Sequence, residues 1–103
     1  MCHPRLSQGR PTACAEACPT GATLSGDWDE MLREARKRLA EKPKEYYPLI
    51  YGRKEAGGSA VLMLSAVPFD KIGLKADLPD IPLPGLTWQA LSHVPDVVVL
   101  GGV

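Results

Sequence analysis

A net charge is missing from this chain of 103 residues, in which 12 Lys and Arg balance 12 Asp and Glu. That excludes the sequence-independent attraction to phosphate that nucleic-acid binders rely on, and it excludes a polybasic membrane patch. Long apolar runs are missing as well. No stretch approaches the roughly 20 apolar residues of a bilayer span, and Met1 leads straight into Cys2, His3 and Pro4 without an export signal's charged and apolar regions. Aromatics are scarce, at two Trp, three Tyr and one Phe. A domain of this size hides only roughly two-thirds of its unfolded surface, so its core is thin. Catalytic and nucleotide motifs are also absent. There is no Gly-x-x-x-x-Gly-Lys, Gly-x-Gly-x-x-Gly, Gly-x-Ser-x-Gly or His-Glu-x-x-His, and catalysis by this chain itself is not expected.

What the chain does have is three cysteines, all within its first 18 residues. An odd number with nothing downstream to pair with argues against a secreted disulfide scaffold. Buried thiols, a redox pair and metal ligation remain. The spacing is Cys2, eleven residues, Cys14, three residues, then Cys18 followed by Pro19. Cys-x3-Cys-Pro is the closing half of the bacterial ferredoxin run, in which the cysteine before the proline serves the neighbouring cluster. Thiolate is the soft ligand that iron in a sulfide cluster prefers. Pro19 stops any helix, and Gly21 lets the backbone turn closely. Free cysteine is also among the most buried residue types, so three small core hydrophobes stay open as a reading. So does a zinc tetrahedron of Cys2, Cys14, Cys18 and either His3 or His93, although it lacks Cys-x2-Cys knuckles. Redox pairing of Cys14 with Cys18 departs from the Cys-x-x-Cys spacing. His3 is read as an exposed loop residue.

Met-Cys-His-Pro-Arg-Leu at residues 1–6, with Ala-Cys-Ala-Glu-Ala-Cys-Pro-Thr-Gly-Ala at 13–22, resembles the four-cluster ferredoxin-type subunits of molybdopterin oxidoreductases and membrane-bound hydrogenases. In that family one cysteine set reads Cys-x2-Cys, a loop often ending in Gly-x-Pro-x-x-Cys, then x3-Cys-Pro-Thr-Gly-Ala. Cys2, Cys14 and Cys18 match its second, third and fourth members, and Arg5, Gly9, Pro11 and Thr20-Gly21-Ala22 match around them. Tyr51-Gly52, Glu55, Gly57-Gly58 and the segment from Leu64 to Phe69 resemble the family's sequence downstream of the motif. The first cysteine of the set, and the family's other three sets, would lie before Met1. The chain therefore looks like the tail of a longer subunit that completes neither cluster site alone.

Asp27 and Glu30 read as a capping-box variant, and Trp28, Met31, Leu32, Ala35 and Leu39 recur at helical spacing. This predicts a helix over about 27–41, with Arg33, Arg36, Lys37, Arg38 and Lys42 on a solvated face and Pro43 ending it. Tyr46–Tyr51 and Ala60–Leu64 read as the two strands of a β-hairpin, with Pro48 on an edge. From Val67 onward Pro68, Pro79, Pro82, Pro84 and Pro95 punctuate short apolar pieces, which predicts an extended arm. The apolar end, residues 97–103, reads either as a short strand or as the start of a membrane anchor.

The fold class expected is α+β, in three stretches: a partial cluster-binding loop at 1–26, a helix and hairpin at 27–66, and a proline-rich arm at 67–103. The resemblance implies an electron-transfer subunit with [4Fe-4S] clusters, for which Cys2, Cys14 and Cys18 are the candidate ligands. It implies as partners a catalytic molybdopterin or hydrogenase subunit and a quinone-reactive membrane subunit, in a membrane-associated complex on the periplasmic face. Nucleic acid is not an expected partner. The alternative from a different class is an assembly module that no longer binds a cluster, or a small zinc-stabilised domain.

Overall fold

The computed structural model describes residues 2–102. Met1 and Val103, which open the N-terminal match and close the apolar end, lie outside them. Helices dominate in the order α1 (His3–Leu6), α2 (Ala13–Ala17), α3 (Trp28–Glu41), α4 (Leu83–Leu91) and α5 (Val94–Gly101), with short 3-10 turns at Glu55–Gly57 and Phe69–Ile72. Contacts divide the chain once, between Pro43 and Lys44, so α3 belongs with the cysteine segment.

In the first unit α3 is amphipathic, and its apolar stripe buries Leu32 and Ala35 while half-covering Met31 and Leu39. Trp28, expected in the core, is 41% exposed. Asp27 sits at the N-cap in extended conformation and its carbonyl accepts from Met31, but its side chain makes no capping bond. The capping box is therefore not formed. Glu34 to Arg38 and Lys37 to Glu41 are the i, i+4 ion pairs on the polar face, each with the acidic and basic residues one turn apart.

The core of the second unit is built from Ile50, Tyr51 and Phe69, the last only 1% exposed. The Phe69 ring lies 4.9 Å from the Tyr51 ring and meets Tyr47 edge-on at 6.4 Å. These are favoured aromatic geometries around the single Phe. Tyr51 satisfies its hydroxyl by donating to the Lys75 carbonyl at 2.8 Å. The expected β-hairpin is reduced to one antiparallel bridge, Tyr51 with Met63, whose amides and carbonyls exchange bonds of 3.0 and 2.9 Å. Among the described residues no longer strand forms. On one side the Leu49 amide turns to the Tyr47 carbonyl at 2.7 Å instead of to the partner segment, and the Ser65 carbonyl accepts from the Tyr47 amide at 2.7 Å. On the other, Gly52 turns away at φ +93° and accepts from the Ser59 amide instead.

The extended arm is also corrected. Residues 83–91 and 94–101 are helical. Pro84 and Pro95 each occupy the second helical position, where the missing amide hydrogen has no intrahelical acceptor to lose. Of the prolines that suggest an arm, Pro84 and Pro95 lie in helix first turns, Pro82 is the N-cap of α4 and Pro68 that of the turn at Phe69–Ile72. Every residue of both helices is exposed. Among the described residues, no helix is long and apolar enough to cross a membrane.

Candidate metal centre

Each cysteine lies at the end or the first turn of a short helix. Cys2 is the N-cap of α1, and its carbonyl accepts from Arg5 and Leu6 at 3.0 Å. Cys14 is the second residue of α2, and Cys18 is its C-cap. Cys18 takes φ −80°, ψ 107° because Pro19 forbids the helical region to the residue before it. The chain then turns through Pro19 and Thr20, with the Gly21 amide reaching back to the Cys18 carbonyl at 3.4 Å. Gly21 stands at φ +65°, where a side chain would be strained.

Arg5 joins the two helices. Its Nε donates to the Pro11 carbonyl at 3.2 Å and its guanidinium pairs with Glu16, which also faces Arg10 at 3.5 Å. The turn that carries Cys2 is thereby fixed to the helix that carries Cys14. This is a structural account of the Arg5 match, beside the exposed His3, which lies in the first turn of α1 rather than in a loop.

The three thiols are free and differ in surroundings. Cys14 is exposed, with Thr12 Oγ1 3.4 Å from its sulfur. Cys18 is half-buried, with Thr20 Oγ1 3.5 Å from its sulfur. The Thr20 hydroxyl above all, and then the amides of Thr23, Ala22 and Thr20, bring the Cys18 thiol down to about 6 against a small opposing effect of burial. Cys18 is thus held as a thiolate at neutral pH, the form that attacks and that ligates metal.

The donor chemistry at Cys18 fits a thiolate ligand to iron. The number of ligands does not complete a site: among the described residues no group of three His, Cys, Asp or Glu comes together to hold a metal ion. The zinc tetrahedron that the sequence leaves open is therefore not assembled here.

Two residues at this site are not singled out for it by the sequence. Thr20 stands there only within a motif match, and its signal is a hydroxyl two residues beyond the cysteine. Arg38, assigned to the solvated face of α3, is half-buried and donates through Nη2 to the Gly21 carbonyl at 3.2 Å and through Nε to Glu34 at 2.9 Å. No signal in the sequence connects positions 17 apart in this way.

No family model matches the chain, and no solved structure matches it. Among curated proteins it is 40% identical over 98 residues to a Nitratidesulfovibrio vulgaris protein whose name assigns no role, covering 95% of this chain and 26% of the relative. It is 37% identical over 91 residues to the hydrogenase-2 operon protein HybA of Escherichia coli O157:H7, covering 68% of this chain and 28% of HybA. Against the formate dehydrogenase iron-sulfur subunit of Haemophilus influenzae it is 31% identical over 108 residues, covering 100% of this chain and 34% of the relative. The chain thus spans between about a quarter and a third of the length of these relatives. By sequence it is a homologue, over that part of their length, of the hydrogenase-2 operon protein HybA and of formate dehydrogenase iron-sulfur subunits.

Proposed function

We propose that this chain is part of an iron-sulfur electron-transfer subunit, in which Cys2, Cys14 and Cys18 are thiolate ligands to [4Fe-4S] clusters completed by residues outside it. The reading is carried by the Cys18 turn, where a hydroxyl and successive amides stabilise a thiolate immediately before a proline. A sulfur already deprotonated at neutral pH binds iron without first losing a proton. Hydrogen bonds to a ligating sulfur also tune a cluster's potential, which is the protein's share of such chemistry. The names of the relatives, hydrogenase-2 operon protein and formate dehydrogenase iron-sulfur subunit, support the same reading. In it the chain holds and tunes clusters and is not itself a catalyst. Its partners are a catalytic molybdopterin or hydrogenase subunit and a quinone-reactive subunit, and the complex is membrane-associated on the periplasmic side.

The separation of the three thiols favours one second reading, an assembly module without a cluster. Iron, sulfide and zinc content, with a visible absorption spectrum, decides between them. The chain is loaded without oxygen with ferrous iron and sulfide, and 2-mercaptoethanol provides the missing thiolates. Iron and sulfide bound in similar amounts, with a broad thiolate-to-iron band that Cys18→Ser removes or weakens, is the expected result. A colourless chain that retains neither iron nor sulfide overturns the cluster reading and leaves the assembly module.

A further inference from the structure

We propose that Glu16 is a positioning residue: gripped by Arg5 and Arg10, it holds Cys2 and Cys14 as one chelating pair before any metal arrives. The role rests on the reading of both cysteines as ligands. It starts in the turn that ends α1. Gly9 stands at φ +71°, its amide donates to the Leu6 carbonyl at 3.0 Å, and the Arg10 amide donates to the Arg5 carbonyl at 3.0 Å. These two bonds close a Schellman motif, which brings Arg10 back beside Arg5. An added Cβ at Gly9 would meet nothing within 4 Å, so the glycine is there for its backbone. Two guanidinium groups thereby reach one carboxylate, Arg5 Nη2 at Oε2 of Glu16 and Arg10 Nη2 at its Oε1.

Glu16 lies between Cys14 and Cys18, and two residues along a helix are about 200° apart round its axis. Holding Glu16 therefore leaves Cys14 on the other side of α2, where it is exposed. Arg5 is fastened to Cys2 as well, since its amide donates to the Cys2 carbonyl at 3.0 Å. One residue thus ties the first cysteine through its backbone and the second through its side chain. A pair of mobile surface side chains would hold little. Arg5 is anchored instead: its Nε is fixed on the Pro11 carbonyl at 3.2 Å, its side chain is only 26% exposed, and its Nη2 atom, closed off from water, faces Glu16. Cys18 is held differently, at the end of α2, with its turn tied to α3 through Arg38 and the Gly21 carbonyl. Ligands fixed in advance lose less freedom when they bind.

The test is thiol cross-linking in the full chain by dibromobimane, in which each of two neighbouring thiolates displaces one bromide and a single molecule comes to bridge them. Cys18→Ser leaves the pair of Cys2 and Cys14, and Cys2→Ser leaves Cys14 and Cys18 as the control pair. The readout is the ratio of bridged to singly alkylated chain by mass spectrometry. Glu16→Gln keeps the size and removes the charge. It should lower the ratio for Cys2 with Cys14 about fivefold, the size expected for loss of a charge-assisted contact, and leave the control pair unchanged. Glu16→Asp should restore part of the loss. A ratio for Cys2 with Cys14 that Glu16→Gln does not change, or a wild-type pair that is never bridged, overturns the proposal. If Glu16→Gln lowers both pairs together, Arg10→Met decides, because it removes one partner of Glu16 and keeps every Arg5 bond. A selective fall for Cys2 with Cys14 then supports the clamp, and any other result overturns it. Uptake of ferrous iron and sulfide by the chain with its three cysteines separates this role from the ligand reading. A selective fall in a chain that takes up no iron keeps the positioning role and removes the ligand reading. Iron uptake with bridging indifferent to Glu16 does the reverse.

Discussion

At Cys18 the Thr20 hydroxyl is the largest influence holding the thiol at about 6. At pH 7 that value leaves about ten thiolates for each thiol. Thr20→Val keeps the β-branched shape and removes the hydroxyl. We expect the midpoint of Cys18 alkylation by iodoacetamide, followed by mass spectrometry of its peptide, to move up from about 6 toward the ordinary thiol value of 9.0. A wild-type midpoint near 9, or a Thr20→Val midpoint equal to wild type, would sink this assignment. The sign for stability comes from the same shift. The fold lowers this group, so its contribution is present above the unfolded value and is lost as the pH falls through about 6. The cysteines themselves are legible from spacing and the adjoining proline. The donors around Cys18 are not, because which amides face a sulfur depends on how Pro19, Thr20 and Gly21 turn.

At the scale of elements, the turn from Gly52 to Gly58 is organised by Glu55. Its Oε2 accepts from the Gly52 amide at 2.8 Å and the Lys54 amide at 3.2 Å. Partial burial pushes this carboxyl up, but the amides of Glu55 itself, Gly52, Lys54 and Arg53 together outweigh it and hold it below the usual range. Glu55→Gln keeps the size and loses the charge, and should destabilise the second unit by about 1 kcal/mol, below the range for buried charge-assisted bonds because the carboxylate is partly in water. Urea unfolding followed through the tyrosines would measure it. The wild-type advantage is full above the unfolded carboxylate value near 4.5 and fades as the pH falls through the lower folded value. Equal stability of the two proteins at pH 7 would refute the role. Elements differ in how far the sequence discloses them. The α3 stripe is periodic over 14 residues, so its position can be read directly. With four and five residues, α1 and α2 are shorter than any apolar period can mark. The segments Tyr46–Tyr51 and Ala60–Leu64 stand out by composition, but the length of their pairing depends on where the backbone turns at Leu49 and Gly52. Pro84 and Pro95 mislead for a complementary reason, since a proline breaks a helix interior but fits its first turn.

Taken as a whole molecule, the chain confines its burial to a few side chains and leaves a large apolar surface at one end. In the second unit the core is Ile50, Tyr51 and Phe69, and the last described tie to the turn at Gly57 is made by Pro79 and Pro82. Beyond Pro82, Leu83, Leu86, Leu91 and the valines of α5 are about half exposed or more, with Trp88 at 74% and Leu100 at 87%. Contiguous exposed apolar surface of this kind favours association over a dispersed monomer. A chain ending at Pro82 should therefore lose most of its binding of a hydrophobic dye such as ANS and most of its concentration-dependent sedimentation. Its urea midpoint, followed through the tyrosines around Phe69, should move by no more than about 0.5 kcal/mol in stability terms, the range of changes that touch no core contact. Together these outcomes would establish α4 and α5 as a surface carried by the core rather than a part of it. A truncated chain in which the Phe69 cluster no longer unfolds cooperatively would establish the reverse, that these exposed helices stabilise the core they leave bare.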